Sequence, residues 1–132
     1  MAGSKSEKGS AMSKTVLIVE DNDLNMKLFH DLLEAHGYGT LQTKDGLDAM
    51  RIAREHRPDL ILMDIQLPLV NGYDATRRIK GNPTLRHIPI IAVTSYALEG
   101  DEAKTREAGC DGYVAKPFSP RKLLAKVQEY LA

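Results

Sequence analysis

Short, unbroken apolar runs recur along this chain, and each stops at a residue with chemistry of its own. Leu60-Ile61-Leu62-Met63 is followed by Asp64, and Thr15-Val16-Leu17-Ile18-Val19 by Glu20-Asp21. Ile88-Pro89-Ile90-Ile91-Ala92-Val93 leads into Thr94-Ser95, and Asp111-Gly112-Tyr113-Val114-Ala115 into Lys116-Pro117. The four apolar residues Leu60–Met63 lack the apolar–polar alternation of a half-exposed strand and read as a strand buried on both faces, and the other three runs are strand-like. Sheets of that kind are parallel and carry helices on both sides.

The segments between the runs fit this. Strands are predicted near 15–20, 39–43, 59–63, 88–93 and 111–115. Helices are predicted near 24–36, 45–56, 72–80, 99–108 and 119–131. The first helix carries an apolar stripe of Leu24, Leu28, Leu32 and Ala35, and Gly37 stops it. The second carries Leu47, Met50 and Ala53, the third Ala75 and Ile79, and the fifth Leu123, Leu124, Val127 and Leu131. The fourth is weakly patterned and closed by Gly109. Five strands alternating with five helices imply right-handed crossovers and an α/β doubly wound, flavodoxin-like (βα)5 sheet of order 2-1-3-4-5. Ligands in such sheets gather at the carboxyl ends of the strands, where the winding reverses between strands one and three. Those two strands end in carboxylates.

With 132 residues the chain suits one domain. Residues 1–13, small, polar and unpatterned, are expected to be a disordered tail, native or appended, ahead of a domain over 14–132. Eighteen basic residues balance eighteen acidic ones, so there is no basic footprint for direct nucleic-acid binding. The apolar runs are far too short to span a bilayer. No secretory signal pattern is present and Cys110 is the single cysteine, so a cytoplasmic, reducing setting is expected. Cys110 is expected to be buried and inert. His30, His36, His56 and His87 lack ligand spacing, and Arg77-Arg78-Ile79-Lys80 reads as a solvated helix face.

Glu20, Asp21 and Asp64 should therefore crowd one pocket. Carboxylates that close repel, and a cation or a proton has to relieve them. Hard oxygen donors without His or Cys suit Mg²⁺. A carboxylate is also a nucleophile toward a phosphoryl group, while Lys116 and the Thr94 hydroxyl suit its oxygens. Taken singly, each residue has a plainer role: Asp21 or Asn22 as a helix cap, Thr94 as a satisfied strand-end hydroxyl, Lys116 on the surface, Tyr113 as core packing.

Together these residues resemble the receiver domain of two-component response regulators, the CheY-like family. The motifs are Glu20-Asp21 in VLIVEDN, Asp64 in LILMDIQLP, Thr94 in IAVTSYA and Lys116-Pro117 in GYVAKPF, over about residues 14–132. The first and second motifs look most like single-domain cell-division regulators of the DivK type. The segment from Tyr96 to Pro120 also resembles receivers of hybrid histidine kinases. The resemblance implies that Asp64 accepts a phosphoryl group from a sensor histidine kinase or a histidine phosphotransfer protein. It implies Mg²⁺ held by Asp21, Asp64 and the Gln66 main-chain carbonyl, with Glu20 acting through water. It further implies phosphoryl contacts from Thr94 and Lys116, a cis peptide between Lys116 and Pro117, and a switch made of Thr94 and Tyr113. That switch would signal to a downstream protein through the surface of helix four, strand five and helix five. The chain is expected to carry no output domain, to insert in no membrane, and to be no metabolic enzyme. Two rival readings use the same core: a phosphatase with an aspartate nucleophile, using Asp21 and Asp23, and a flavin binder, which the acids after strand one disfavour.

Overall fold

The computed structural model describes residues 14–67, 70–94, 101–116 and 119–131. In chain order the elements are β1 (Thr15–Val19), α1 (Asp23–Ala35), β2 (Gly39–Thr43), α2 (Gly46–His56), β3 (Leu60–Asp64), α3 (Gly72–Lys80), β4 (Ile90–Thr94), α4 (Asp101–Ala108), β5 (Gly112–Ala115) and α5 (Pro120–Leu131). The strands form one parallel sheet of order β2-β1-β3-β4-β5. Every residue of β3 and β4 is buried, as their unbroken apolar runs require.

Strand pleating divides the core in two. Leu17, Val19, Ile61, Met63, Ile90 and Ala92 face Ala49, Ile52 and Ala53 of α2 and Ala75 and Ile79 of α3. Val16, Ile18, Leu60, Leu62, Ile91 and Val93 face Met26, Phe29 and Leu33 of α1 and Leu123 and Val127 of α5. Glycines close two helices as expected: Gly37 (φ +87°) and Gly109 (φ +107°) take the left-handed conformation that L side chains resist.

Three sequence expectations need correction. The α1 stripe of Leu24, Leu28, Leu32 and Ala35 is not its buried face. Met26, Phe29 and Leu33 are buried, while Leu24 is 67% and Leu28 48% exposed. The helix is apolar on two stripes, and the one carrying the large Phe29 ring removes more surface from water. Leu47 of α2 is likewise 48% exposed, and Gly46, Ala49, Ile52 and Ala53 are buried instead. Lys80 does not belong to a solvated face. Its ammonium donates to the Ile88 carbonyl (2.9 Å), the Arg86 carbonyl (3.1 Å) and Asp111 Oδ2 (2.9 Å). That lysine ties the end of α3 to the start of β5, at the end of the sheet remote from the strand carboxyl termini.

The corrected register is open to a direct test. Phe29→Ala should cost about 3–5 kcal/mol of stability in urea unfolding, whereas Leu28→Ala should stay within about 0.5 kcal/mol of the parent. Equal losses would contradict this packing.

Candidate functional site

A parallel sheet brings the ends of its strands to a common rim, so residues far apart in sequence meet there. Glu20 follows β1, and its N–H donates to the Thr43 carbonyl at the end of β2 (3.0 Å). Asp64 is the last residue of β3, and Thr94 is the last of β4. Lys116 follows β5, its N–H bonded to the Thr94 carbonyl (2.7 Å). Asn22, not Asp21, caps α1, accepting from Asn25 N–H (2.9 Å), so the Asp21 carboxylate is left at the rim. One carboxylate oxygen from each of Glu20, Asp21 and Asp64 lies within 4.8 Å of the others. Asp23 stays outside this group, exposed and ion-paired with Lys44, so the acid pattern of the phosphatase reading does not form.

Local backbone bonds aim the carboxylates. Asp64 Oδ1 accepts the Gln66 N–H (2.9 Å), and Glu20 Oε2 accepts the Asn22 N–H (3.2 Å). After Asp64 the chain doubles back, and the Gly72 N–H bonds to the Ile65 carbonyl (2.9 Å). A Cβ on Gly72 would stand 2.4 Å from the Asp64 carbonyl oxygen, so the start of α3 seats on the β3 end only because that residue is glycine.

The electrostatics are unbalanced. Glu20 is 1% and Asp64 2% exposed, and Asp21 is open to solvent. Lys116 Nζ lies 3.2 Å from Glu20 Oε1 and 3.4 Å from Asp64 Oδ2. Despite that proximity Glu20 Oε1 makes no hydrogen bond. Burial first, then a hydrogen bond to Asp64 and the charge of Asp64, raise the Glu20 carboxyl to about 7, against the pull of Lys116 and the Asn22 N–H. Hard oxygen donors, a surplus of negative charge and an unsatisfied buried oxygen fit a small divalent cation.

Two further candidates, Thr94 and Tyr113, belong to β4 and β5. Thr94 is fully buried between β3 and β5. Tyr113 of β5 is half-buried and borders two surface cavities. One, of about 290 Å³, is also lined by Arg106, Lys126 and Tyr130, and the other, of about 560 Å³, by Ser119, Lys122 and Glu129. Pro117 and Ser95 lie outside the described residues. Cys110 is buried beside the Thr76 hydroxyl, and burial pushes its thiol up to about 11, which keeps it unreactive. Among the described residues the histidines join no metal-type cluster, and no helix is long and apolar enough to cross a membrane.

Residues 16–128 match the model of the response regulator receiver domain. The chain belongs to that family. It is 56% identical over 120 residues to the polar-differentiation response regulator DivK of Brucella anthropi, covering 91% of this chain and 98% of that protein. The Brucella ovis DivK is 55% identical over the same coverage. Among solved structures, the receiver domain of sensor histidine kinase PA1611 from Pseudomonas aeruginosa has a TM-score of 0.83 at 40% identity. The match covers 89% of this chain and 97% of that one, whose structure holds a magnesium ion in its active-site cleft. A putative response regulator from Chloroflexus aurantiacus gives a TM-score of 0.86 at 29% identity, covering 90% and 98%. The receiver resemblance and its DivK-type branch thus hold, and the flavin-binding reading falls with them.

Sequence reasoning passed over Gly72 and Thr43. Gly72 stood only as the start of a predicted helix, because the crowding that requires it comes from the end of β3. Thr43 gave no signal at all, since its partners come from the turn into α2, from α2 itself and from the end of β1.

A raised Glu20 pKa has a definite sign. Below about pH 4.5 the carboxyl is protonated folded or unfolded; above that, only the folded chain keeps the proton, until about pH 7. The contribution of Glu20 to stability is therefore present at low pH and lost as pH rises through about 7. In chelator-treated buffer, urea unfolding of the parent relative to Glu20→Gln should lose stability across that window. Parallel pH profiles for the two proteins would contradict the assigned environment.

Proposed function

We propose that this receiver is a phosphorylation-controlled switch whose phosphoacceptor is Asp64. The observation that carries the reading is the convergence of Glu20, Asp21, Asp64 and Lys116 on one largely buried rim. Asp64 attacks the phosphorus of a phosphohistidine. The O–P bond forms, the N–P bond breaks, and the imidazole nitrogen leaves with the electron pair. Glu20, Asp21, Asp64 and the Gln66 main-chain carbonyl would hold Mg²⁺, which when bound neutralises the carboxylates and the phosphoryl oxygens.

The chain's own residues supply the rest. Lys116, already between Glu20 and Asp64, exchanges the Asp64 carboxylate for an oxygen of the transferred group. The Thr94 hydroxyl donates to another such oxygen. Movement of Thr94 toward the phosphoryl group draws Tyr113 inward and reshapes the surface of α4, β5 and α5, a shift between two populated states. The cavities beside Tyr113 give the ring space to move and give a downstream protein a surface to read. Leu24, Leu28 and Leu47, exposed on α1 and α2, suit contact with the phosphodonor, a sensor histidine kinase or a phosphotransfer protein. The role of the chain is signalling, with self-catalysed phosphorylation and hydrolysis only. The DivK relatives are named for polar differentiation, and we assign this chain to a cell-cycle pathway of that type. A relay role is the second reading, supported by the likeness to a receiver of a sensor histidine kinase.

Acetyl phosphate with Mg²⁺ should add one phosphoryl group by intact mass, and Asp64→Asn should add none. Label on serine or threonine would contradict the assignment. Lys116→Ala, folded in Mg²⁺ to offset the lost ammonium, should fail to gain partner affinity on phosphorylation. Parent-like gain in that variant would remove Lys116 from the switch.

A further inference from the structure

Thr43 is 9% exposed and engages three neighbours from the end of β2. Its hydroxyl donates to Asp48 Oδ2 (3.0 Å) and accepts from the Asp45 N–H (3.2 Å). Its carbonyl accepts the Glu20 N–H (3.0 Å), just past the Val19–Thr43 register pair. Both aspartates are engaged further: Asp45 Oδ1 caps α2 by accepting the Leu47 N–H (2.8 Å), and Asp48 Oδ1 accepts from Arg51 Nε (2.8 Å). One threonine thus joins the first turn of α2 to the residue that presents the least satisfied carboxylate of the rim.

We propose that Thr43 is a positioning residue for Glu20, and that it sets divalent-cation affinity without touching the ion. This rests on the acidic-rim reading of the site. Among the described residues the Glu20 carboxylate is held by the Asn22 N–H and lies beside the Lys116 ammonium and the Asp64 carboxylate. Its main chain is fixed by the Thr43 carbonyl, and the orientation of that carbonyl depends on the turn that the Thr43 hydroxyl ties down. Without the hydroxyl, the Asp45 N–H loses its acceptor and Asp48 a donor, the turn relaxes, and Glu20 moves with it.

Calorimetric titration of the full chain with Mg²⁺ alone tests this. Thr43→Val, which keeps the branched shape, should weaken binding by about tenfold. Thr43→Ser should restore it. In a Glu20→Gln background the valine substitution should have no further effect, because its route to the ion has been removed. An unchanged Mg²⁺ affinity in Thr43→Val, with only a lower Tm, would reduce Thr43 to a structural residue and overturn the proposal. Equal weakening in both backgrounds would also overturn it, since the effect would bypass Glu20. Where Thr43→Val does not fold, Asp48→Ala removes the acceptor of the hydroxyl from the solvent side and carries the same comparison. If the parent chain itself takes up no Mg²⁺, the acidic-rim reading fails first and the proposal falls with it. That outcome differs from a parent that binds and a valine variant that binds equally well.

Discussion

Mutual repulsion of carboxylates is the constraint around which this molecule is arranged. At 4.8 Å, two of them repel by roughly 3 kcal/mol at an effective dielectric near 20, and the rim gathers three. Burial of Glu20 and Asp64 makes the arrangement costlier, and one ammonium, Lys116, answers both. A chain selected for stability alone would not keep a buried carboxylate oxygen without a hydrogen bond. The strain is local, and it lies where two protonation, metal or phosphoryl states would have different energies. A switch needs such a difference.

The opposite end of the sheet is built the other way. Asp111 accepts from Lys80 and from the Ile90 N–H (both 2.9 Å), and its carbonyl accepts the Tyr130 hydroxyl (2.6 Å). Those bonds fasten α3, β4 and α5 to the start of β5 with the polar groups paired. The tightly satisfied end holds the elements in place, and the unsatisfied rim is left to respond. The grooves beside Tyr113 lie along the same strand, β5, which runs from the fastened end at Asp111 to Lys116 at the rim.

Much of this was legible in the sequence because it depends on covalent order and strand direction. Unbroken apolar runs are buried on both faces, buried parallel strands share a carboxyl rim, and polar residues that end such runs must meet there. Asp64, Glu20, Asp21, Thr94 and Lys116 follow from that reasoning with no tertiary detail. Helix faces were harder. The leucine stripe of α1 has helical spacing as good as that of Met26, Phe29 and Leu33. Periodicity alone does not say which stripe meets the sheet, and the bulk of Phe29 decides it. Lys80 read as a surface charge because its three acceptors come from the α3–β4 connection and β5. Gly72 and Thr43 were invisible for the same reason: each is required by a neighbour distant in sequence or by a turn whose geometry composition does not encode.

The central claim is that the rim is a cradle for a divalent ion. A crystal soaked in Mn²⁺, as an anomalous scatterer replacing Mg²⁺, tests it most directly. One anomalous peak is expected, bonded at about 2.2 Å to carboxylate oxygens of both Asp21 and Asp64. A peak elsewhere, or no ion between the acids, would contradict it.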